Sequence, residues 1–77
     1  MTLKRIRIGD MSITTTQATM TKAFTEFGSI VTSSVDYGAR SAIGHIEYTE
    51  DTMGRAAINA MNGTRFEGAL ITVVEEK

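Results

Sequence analysis

The sequence predicts one α+β domain over residues 1–77, in which two helices pack against one face of a four-stranded antiparallel sheet. Three observations predict this class. Residues 3–8 alternate between apolar and charged as a half-buried strand does, two later stretches repeat apolar residues at helical spacing, and the remaining segments are rich in β-prone residues. A chain of this length accommodates a single hydrophobic core.

The first strand is predicted over residues 3–8. Ile6 and Ile8 point to one face of this strand while Arg5 and Arg7 point to the other, since successive side chains of a strand alternate. The next four residues, Gly-Asp-Met-Ser, break the alternation. We therefore expect the strand to end before them.

The first helix is predicted over residues 17–27. Thr16 is expected to be its N-cap, because a threonine hydroxyl can accept from the first free backbone N–H groups of a helix. The apolar residues recur at helical spacing and form one stripe: Met20, Ala23, Phe24 and Phe27. Gly28 follows the last of them, so we expect the helix to end there with this glycine in the left-handed conformation.

Two β-prone segments follow over residues 30–37 and 41–48, with Gly38 and Ala39 between them. The first segment is rich in Val, Ser and Thr, and the second alternates around apolar and small residues. A glycine that can take positive φ favours a short hairpin connection. We therefore expect these two strands to be antiparallel neighbours.

The second helix is predicted to begin at Thr49, as a cap, followed by two acids that suit the helix dipole. Its apolar and small residues again share one stripe: Gly54, Ala57, Ile58 and Met61. A glycine inside a helix suggests close approach to the sheet. Asn62-Gly63 signals a turn, and residues 70–74 form a last strand. The order β-α-β-β-α-β is that of the ferredoxin-like fold.

Composition excludes several classes of function. Eight Lys or Arg residues stand against nine Asp or Glu, with one His and no Cys, so disulfides, thiol catalysis and thiolate metal sites are absent from the sequence. No apolar run reaches the length of a membrane span, and the N-terminus lacks the apolar stretch of a signal peptide. We expect a cytoplasmic, non-enzymatic domain that holds no cofactor or metal and contacts no membrane; the sequence is also compatible with a nuclear location.

Two segments carry a family resemblance. Residues 57–63 read Ala-Ile-Asn-Ala-Met-Asn-Gly, and residues 24–30 read Phe-Thr-Glu-Phe-Gly-Ser-Ile. In these segments, and in the distance between them, the sequence resembles the RNA recognition motif family over essentially its whole length. The resemblance implies the ferredoxin-like sandwich, with the first and third strands central and one sheet face uncovered by helices.

The resemblance also implies binding of single-stranded RNA on the uncovered face, where aromatic side chains of the family stack on bases. The positions that match those rings hold Arg7, Ile43 and His45 here. We therefore expect weak binding with little sequence preference. The candidate nucleic-acid-binding residues are Lys4, Arg5, Arg7, Arg40, Ile43 and His45.

Several of these residues have simpler interpretations. Arg7 can be a solvated side chain that pairs with Glu47 or another acid. His45 can be an inert exposed residue, or a protonation switch, since imidazoles titrate near neutral pH. Tyr48 is expected in the core, whereas Tyr37, at the end of the second strand, is a candidate exposed ring.

Competing hypotheses concern the whole domain. Exposed aliphatic residues on an open sheet often mark a protein-binding surface, and alternation places Ile43, Leu70 and Val74 on that face. A module that binds a protein partner there, or serves a structural role without binding RNA, is therefore the alternative. A sequence designed only to fold is a third hypothesis.

Overall fold

Two helices cover one face of a four-stranded antiparallel sheet in the computed structural model, which describes residues 2–76. The strands and helices are β1 (Lys4–Met11), α1 (Gln17–Phe24), β2 (Ile30–Tyr37), β3 (Ala42–Tyr48), α2 (Asp51–Met61), β4 (Arg65–Phe66), β5 (Ala69–Leu70) and β6 (Thr72–Glu75). The sheet order is β2-β3-β1-β6, with β4 and β5 paired separately. The predicted fold class is confirmed, and β1 and β3 occupy the centre of the sheet. Across residues 2–76, neither helix has the length and apolar character needed to cross a membrane.

Strand β1 continues three residues beyond its predicted end. The register against β3 shifts between Ile8 and Met11, and Asp10 adopts a φ of 61° there. An extra residue in one strand forms a bulge, and Asp tolerates the left-handed conformation that such a bulge uses. The strand therefore passes through residues that break the alternation, and Met11 is fully buried beyond the bulge.

Helix α1 begins as predicted. The Thr16 hydroxyl accepts a 3.1 Å hydrogen bond from the backbone N–H of Thr19. The α-helix gives way to a 3-10 turn over Thr25–Phe27, which ends at Gly28. The expected left-handed conformation at Gly28 is wrong, because its φ is 154° and its ψ is −173°. Only glycine fits here, since a Cβ would collide with the Met53 side chain.

The connection between β2 and β3 spans four residues and closes with a 2.9 Å hydrogen bond from the Gly38 N–H to the Ser41 carbonyl. Gly38 is not among the glycines with positive φ in residues 2–76. The expected positive φ at Gly38 is therefore wrong, whereas the connection is short and the strands pair as antiparallel neighbours, as predicted.

Helix α2 begins one residue later than the predicted cap implies. Glu50 is the N-cap, without a side-chain capping bond, and the Thr49 hydroxyl instead lies 3.4 Å from the Met53 sulfur. Gly54 is buried against β1, where a Cβ would lie 2.9 Å from the Cβ of Lys4. The predicted close approach of this helix to the sheet is confirmed.

The C-terminal segment contains a hairpin that the sequence reasoning missed. Glu67 and Gly68 both have positive φ, 52° and 83°, as a type I′ turn requires, and they join β4 to β5. The single strand predicted over residues 70–74 is therefore divided, and Leu70 belongs to the hairpin. The Asn62 side chain accepts a 2.9 Å bond from the Val73 N–H, which ties the predicted Asn-Gly turn to β6.

The core lies between the sheet and the helices. Tyr48 is fully buried, as predicted, and its hydroxyl donates a 2.6 Å hydrogen bond to the Phe24 carbonyl. Burial raises the pKa of the Tyr48 phenol above its ordinary value. Phe24 contacts the rings of Phe27 and Phe66 edge-on, at centroid distances of 6.1 and 6.2 Å. The other fully buried apolar residues are Ile6, Ile8, Met11, Met20, Ala42, Ile46, Ala57, Ile71 and Val73.

Candidate nucleic-acid interface

The sheet face opposite the helices is formed at its centre by alternate residues of β1 and β3. Arg7 lies directly opposite His45, and Arg5 lies opposite Glu47. Their strand neighbours Ile6, Ile8, Gly44 and Ile46 are buried against the helices, so strand alternation places the four polar side chains on the open face. The side chains that flank them come from β2 and β6: Thr32, Ser34, Asp36, Thr72 and Val74.

His45 lies between two carboxylates. Its Nδ1 is 3.0 Å from a carboxylate oxygen of Glu76, and its Nε2 is 3.1 Å from a carboxylate oxygen of Asp36. A neutral imidazole donates from one nitrogen only, whereas the imidazolium donates from both. Each ring nitrogen of His45 thus faces a carboxylate, Asp36 on one side and Glu76 on the other. The sequence reasoning did not connect Asp36 or Glu76 to this residue.

Arg5 is partly neutralised by its neighbour across the strands. Its Nε lies 3.3 Å from the Glu47 carboxylate, and the Arg5 side chain remains 62% exposed. The pair follows from the β1–β3 register, which places the two residues opposite each other. Opposite charges at such positions stabilise a sheet modestly. Arg5 thus contributes a guanidinium that already has one carboxylate beside it.

Arg7 and Arg40 are the exposed cations of this region that no carboxylate engages within residues 2–76. Glu47, the acid that the sequence offers as a partner for Arg7, pairs with Arg5 instead. Arg7 lies at the centre of the sheet, between His45 on β3 and Val74 on β6. Arg40 lies in the exposed connection between β2 and β3.

Lys4 does not join the other candidate residues. It shares the helix-facing side of β1 with Ile6, and its side chain is only 12% exposed. Its Nζ lies 2.7 Å from the Glu75 carboxylate and 3.1 Å from that of Asp51. The hydrogen bonds that Lys4 donates to Glu75 and Asp51 raise its pKa. The lysine therefore links β1, α2 and β6 on the covered side of the sheet.

Two depressions divide the open face. The first, of about 340 Å³, is lined by Arg5, Thr32, Ser34, His45, Ile46, Glu47 and Glu76. The second, of about 250 Å³, is lined by Arg7, Gly9, Asp10, Ser41, Ile43, Thr72 and Val74. The first is dominated by charged and hydroxyl side chains. The second places the aliphatic side chains of the face beside the free guanidinium of Arg7.

The three aliphatic residues predicted to share this face do not all lie on it. Ile43 and Val74 line the second depression, and Val74 is 42% exposed. Leu70 lies in β5, outside the four-stranded sheet. The predicted aliphatic patch is therefore reduced to two residues.

The aromatic rings of the described residues lie away from the open face. Tyr37 is 55% exposed, as expected, but its hydroxyl donates a 2.6 Å hydrogen bond to the carbonyl of Thr15, at the entry to α1. Its ring therefore belongs to the helix side of β2. The planar groups that residues 2–76 offer to a ligand on the open face are the guanidinium groups of Arg5 and Arg7 and the imidazole of His45. No group of three or more His, Cys, Asp or Glu side chains in this part of the chain is arranged so that it could hold a metal ion.

The comparisons with known proteins agree with the fold. The model of the RNA recognition motif family matches residues 6–72. The chain is similar to the Mip6 RRM3 domain, at 21% identity over 96% of this chain and 93% of that one, with a TM-score of 0.91. The Pes4 RRM3 structure is 20% identical over 96% and 92% of the two chains, with a TM-score of 0.91. The Rna15 RRM with bound RNA (GU) is 13% identical over 94% and 81%, with a TM-score of 0.83. No curated protein matches the chain.

Proposed function

Because the chain belongs to the RNA recognition motif family, we propose that it binds single-stranded RNA through the open face of its sheet, weakly and with little sequence discrimination. The observation that carries the proposal is the position of Arg7. This arginine is exposed at the centre of the face, and no acid engages it within residues 2–76. A free guanidinium can stack on a base or donate to a phosphate.

The weakness of the proposed binding follows from the residues that replace the stacking rings. A base stacked on an aromatic side chain contributes about 1–3 kcal/mol. Arg7, Ile43 and His45 occupy the positions where the family has those rings, and a branched aliphatic side chain offers a base no flat surface. Stacking is therefore reduced to a guanidinium and an imidazole. Without rings or a fixed pattern of donors and acceptors, discrimination between bases is small.

Local charge further limits the affinity. Arg5 already pairs with Glu47, and His45 already lies between Asp36 and Glu76. Arg7 and Arg40 remain to neutralise phosphates. Each phosphate contact on a single strand contributes about −0.7 to the slope of log K against log salt. Two contacts therefore give a slope of about −1.4.

The same geometry argues for a binding domain rather than an enzyme. His45 is the one histidine of the sequence, and both of its ring nitrogens face carboxylates. Nucleophilic catalysis needs a base that lies within hydrogen-bond reach of a nucleophile. No serine, threonine or tyrosine hydroxyl is bonded to this imidazole in residues 2–76.

The test is a titration of the isotope-labelled domain with a random pool of short single-stranded RNA at two salt concentrations. We expect amide shifts on β1 and β3, and an affinity that falls with added salt. Arg7→Ala is expected to weaken binding to every sequence alike. Arg55→Ala is its matched control, because Arg55 lies on α2, pairs with Asp51 at 2.7 Å and carries the same charge. No shifts on β1 and β3 at high RNA concentration would refute the proposal.

The alternative, a protein-interaction module, has one specific observation in its favour. Ile43 and Val74 line the second depression, and Val74 is 42% exposed. A partner with a small apolar side chain fits that depression. Self-association at micromolar concentration, with the amides of these two residues protected and no response to RNA, would favour this function over RNA binding.

A further inference from the structure

The side chain of Glu76 lies within the proposed RNA site. Its backbone N–H donates a 2.9 Å hydrogen bond to the Arg5 carbonyl, so Glu76 extends the pairing of β6 with β1. From there its carboxylate reaches His45 on β3. Both carboxylate oxygens lie close to the Nδ1 of His45, at 3.1 and 3.0 Å. Glu76 is thus anchored by its backbone beside one central strand and bonded by its side chain to the other.

This contact occupies a donor that a ligand would need. The side chains of His45 and Glu76 are 30% and 29% exposed, so each covers part of the other. The Nδ1 hydrogen cannot be given to an RNA phosphate while it is given to a carboxylate. The negative charge of Glu76 also lines the 340 Å³ depression, where it opposes the approach of a phosphate.

We propose that Glu76 acts as an intramolecular competitor of RNA at His45, so that RNA reaches the imidazole only when it displaces this carboxylate. The inference rests on the proposed function, because a competitor has an effect only where a ligand binds. The Glu76 carboxylate resembles an RNA phosphate in charge, and the end of β6 holds it beside His45. Its presence lowers the affinity without contributing to recognition.

The other charges around His45 do not take over this role. Asp36 contacts the opposite ring nitrogen, Nε2, from β2. Glu47, two residues along β3, is held by Arg5. Arg7 lies opposite His45 and carries the charge that attracts the ligand. Glu76 is therefore the one acid of residues 2–76 that engages Nδ1.

Glu76→Gln tests the inference with little change of shape, because the amide removes the negative charge that strengthens the bond to Nδ1 and opposes a phosphate. Glu26→Gln is the matched control. Glu26 lies exposed in the 3-10 turn after α1, and its substitution changes the net charge by the same amount. The probe is a random pool of short single-stranded RNA at low salt. We expect Glu76→Gln to bind about three- to fivefold more tightly than Glu26→Gln, a gain typical of one partly exposed charge interaction.

A measurement without RNA keeps the two proposals distinguishable. The ¹⁵N signals of the His45 ring should shift in Glu76→Gln and stay unchanged in Glu26→Gln. Equal RNA affinities for the two variants, or weaker binding by Glu76→Gln, would overturn the competitor role while leaving RNA binding in place. Unchanged ring signals in Glu76→Gln would overturn it as well. Absence of RNA binding by wild type and both variants would overturn the proposed function and this inference together.

Discussion

The close approach of α2 to β1 makes a strong prediction at Gly54. Replacing a helix-interior glycine by alanine normally stabilises a protein by about 0.5–1 kcal/mol, because the unfolded chain loses freedom. Here the new methyl group would lie 2.9 Å from the Cβ of Lys4 and would collide with its Cγ. Because the Cβ of Lys4 is fixed to the backbone of β1, it cannot rotate away, and the helix must move away from the sheet.

The overpacking term exceeds the gain in helix propensity. Inserting a methyl group into a filled site costs about 1–3 kcal/mol, which leaves a net loss of about 0.5–2 kcal/mol for Gly54→Ala. Part of this cost arises from Lys4, whose stem is held by ion pairs to Glu75 and Asp51. We therefore expect a smaller cost in a Lys4→Ala background, where the Cγ is absent.

The assay is urea unfolding of the wild type, both single variants and the double variant, which together form a double-mutant cycle. We expect the cycle to show a coupling free energy of about 1 kcal/mol between the two sites. A Gly54→Ala variant that is more stable than wild type would refute the reasoning. It would show that α2 has room above β1 and that the glycine serves no packing need.

Two further predictions concern alkaline stability and the replaced rings. Hydrogen bonds to Glu75 and Asp51 raise the pKa of Lys4, and burial raises the pKa of Tyr48, so the unfolded chain loses these protons before the folded state does. The stability that these two groups contribute is therefore complete below about pH 10 and is lost as the pH rises above it. Tyr48→Phe should flatten this fall. In RNA titrations, His45→Phe should bind about 1–3 kcal/mol more tightly than His45→Gln if a base meets that position, and equal affinities would show that none does.

The sequence predicts the faces of the central strands well, because burial enforces alternation. Once Ile6 and Ile8 must face the helices, Arg5 and Arg7 can only face the open side. Alternation also places Tyr48 and His45 on opposite faces of β3, because they are three residues apart. These assignments need no long-range information, since each strand carries its own pattern.

Features that depend on partners distant in sequence are harder to predict. The bulge in β1 and the turn between β4 and β5 require a positive φ at Asp10 and Glu67. Because neither residue is a glycine, the sequence does not predict this conformation. Lys4 is close to Arg5 and Arg7 along the chain, and on that ground the sequence predicts it as a nucleic-acid-binding residue. Strand alternation and its two carboxylate partners place it instead on the covered side of the sheet. Strand alternation alone already predicts this position, because Lys4 and Ile6 are two residues apart and point to the same face of β1.

Glu76 shows why the charge of the proposed site could not be obtained from composition. The residue is 31 positions from His45, and they meet only because β6 is placed beside β1 in the sheet. Counting charges gives a nearly neutral chain, which argues against a polyanion ligand. Within residues 2–76, Lys4, Arg5 and Arg55 pair with carboxylates, whereas Arg7 and Arg40 do not. Because a ligand responds to unpaired charge within a Debye length more than to the net charge of the chain, an acidic domain can still present a local site for RNA.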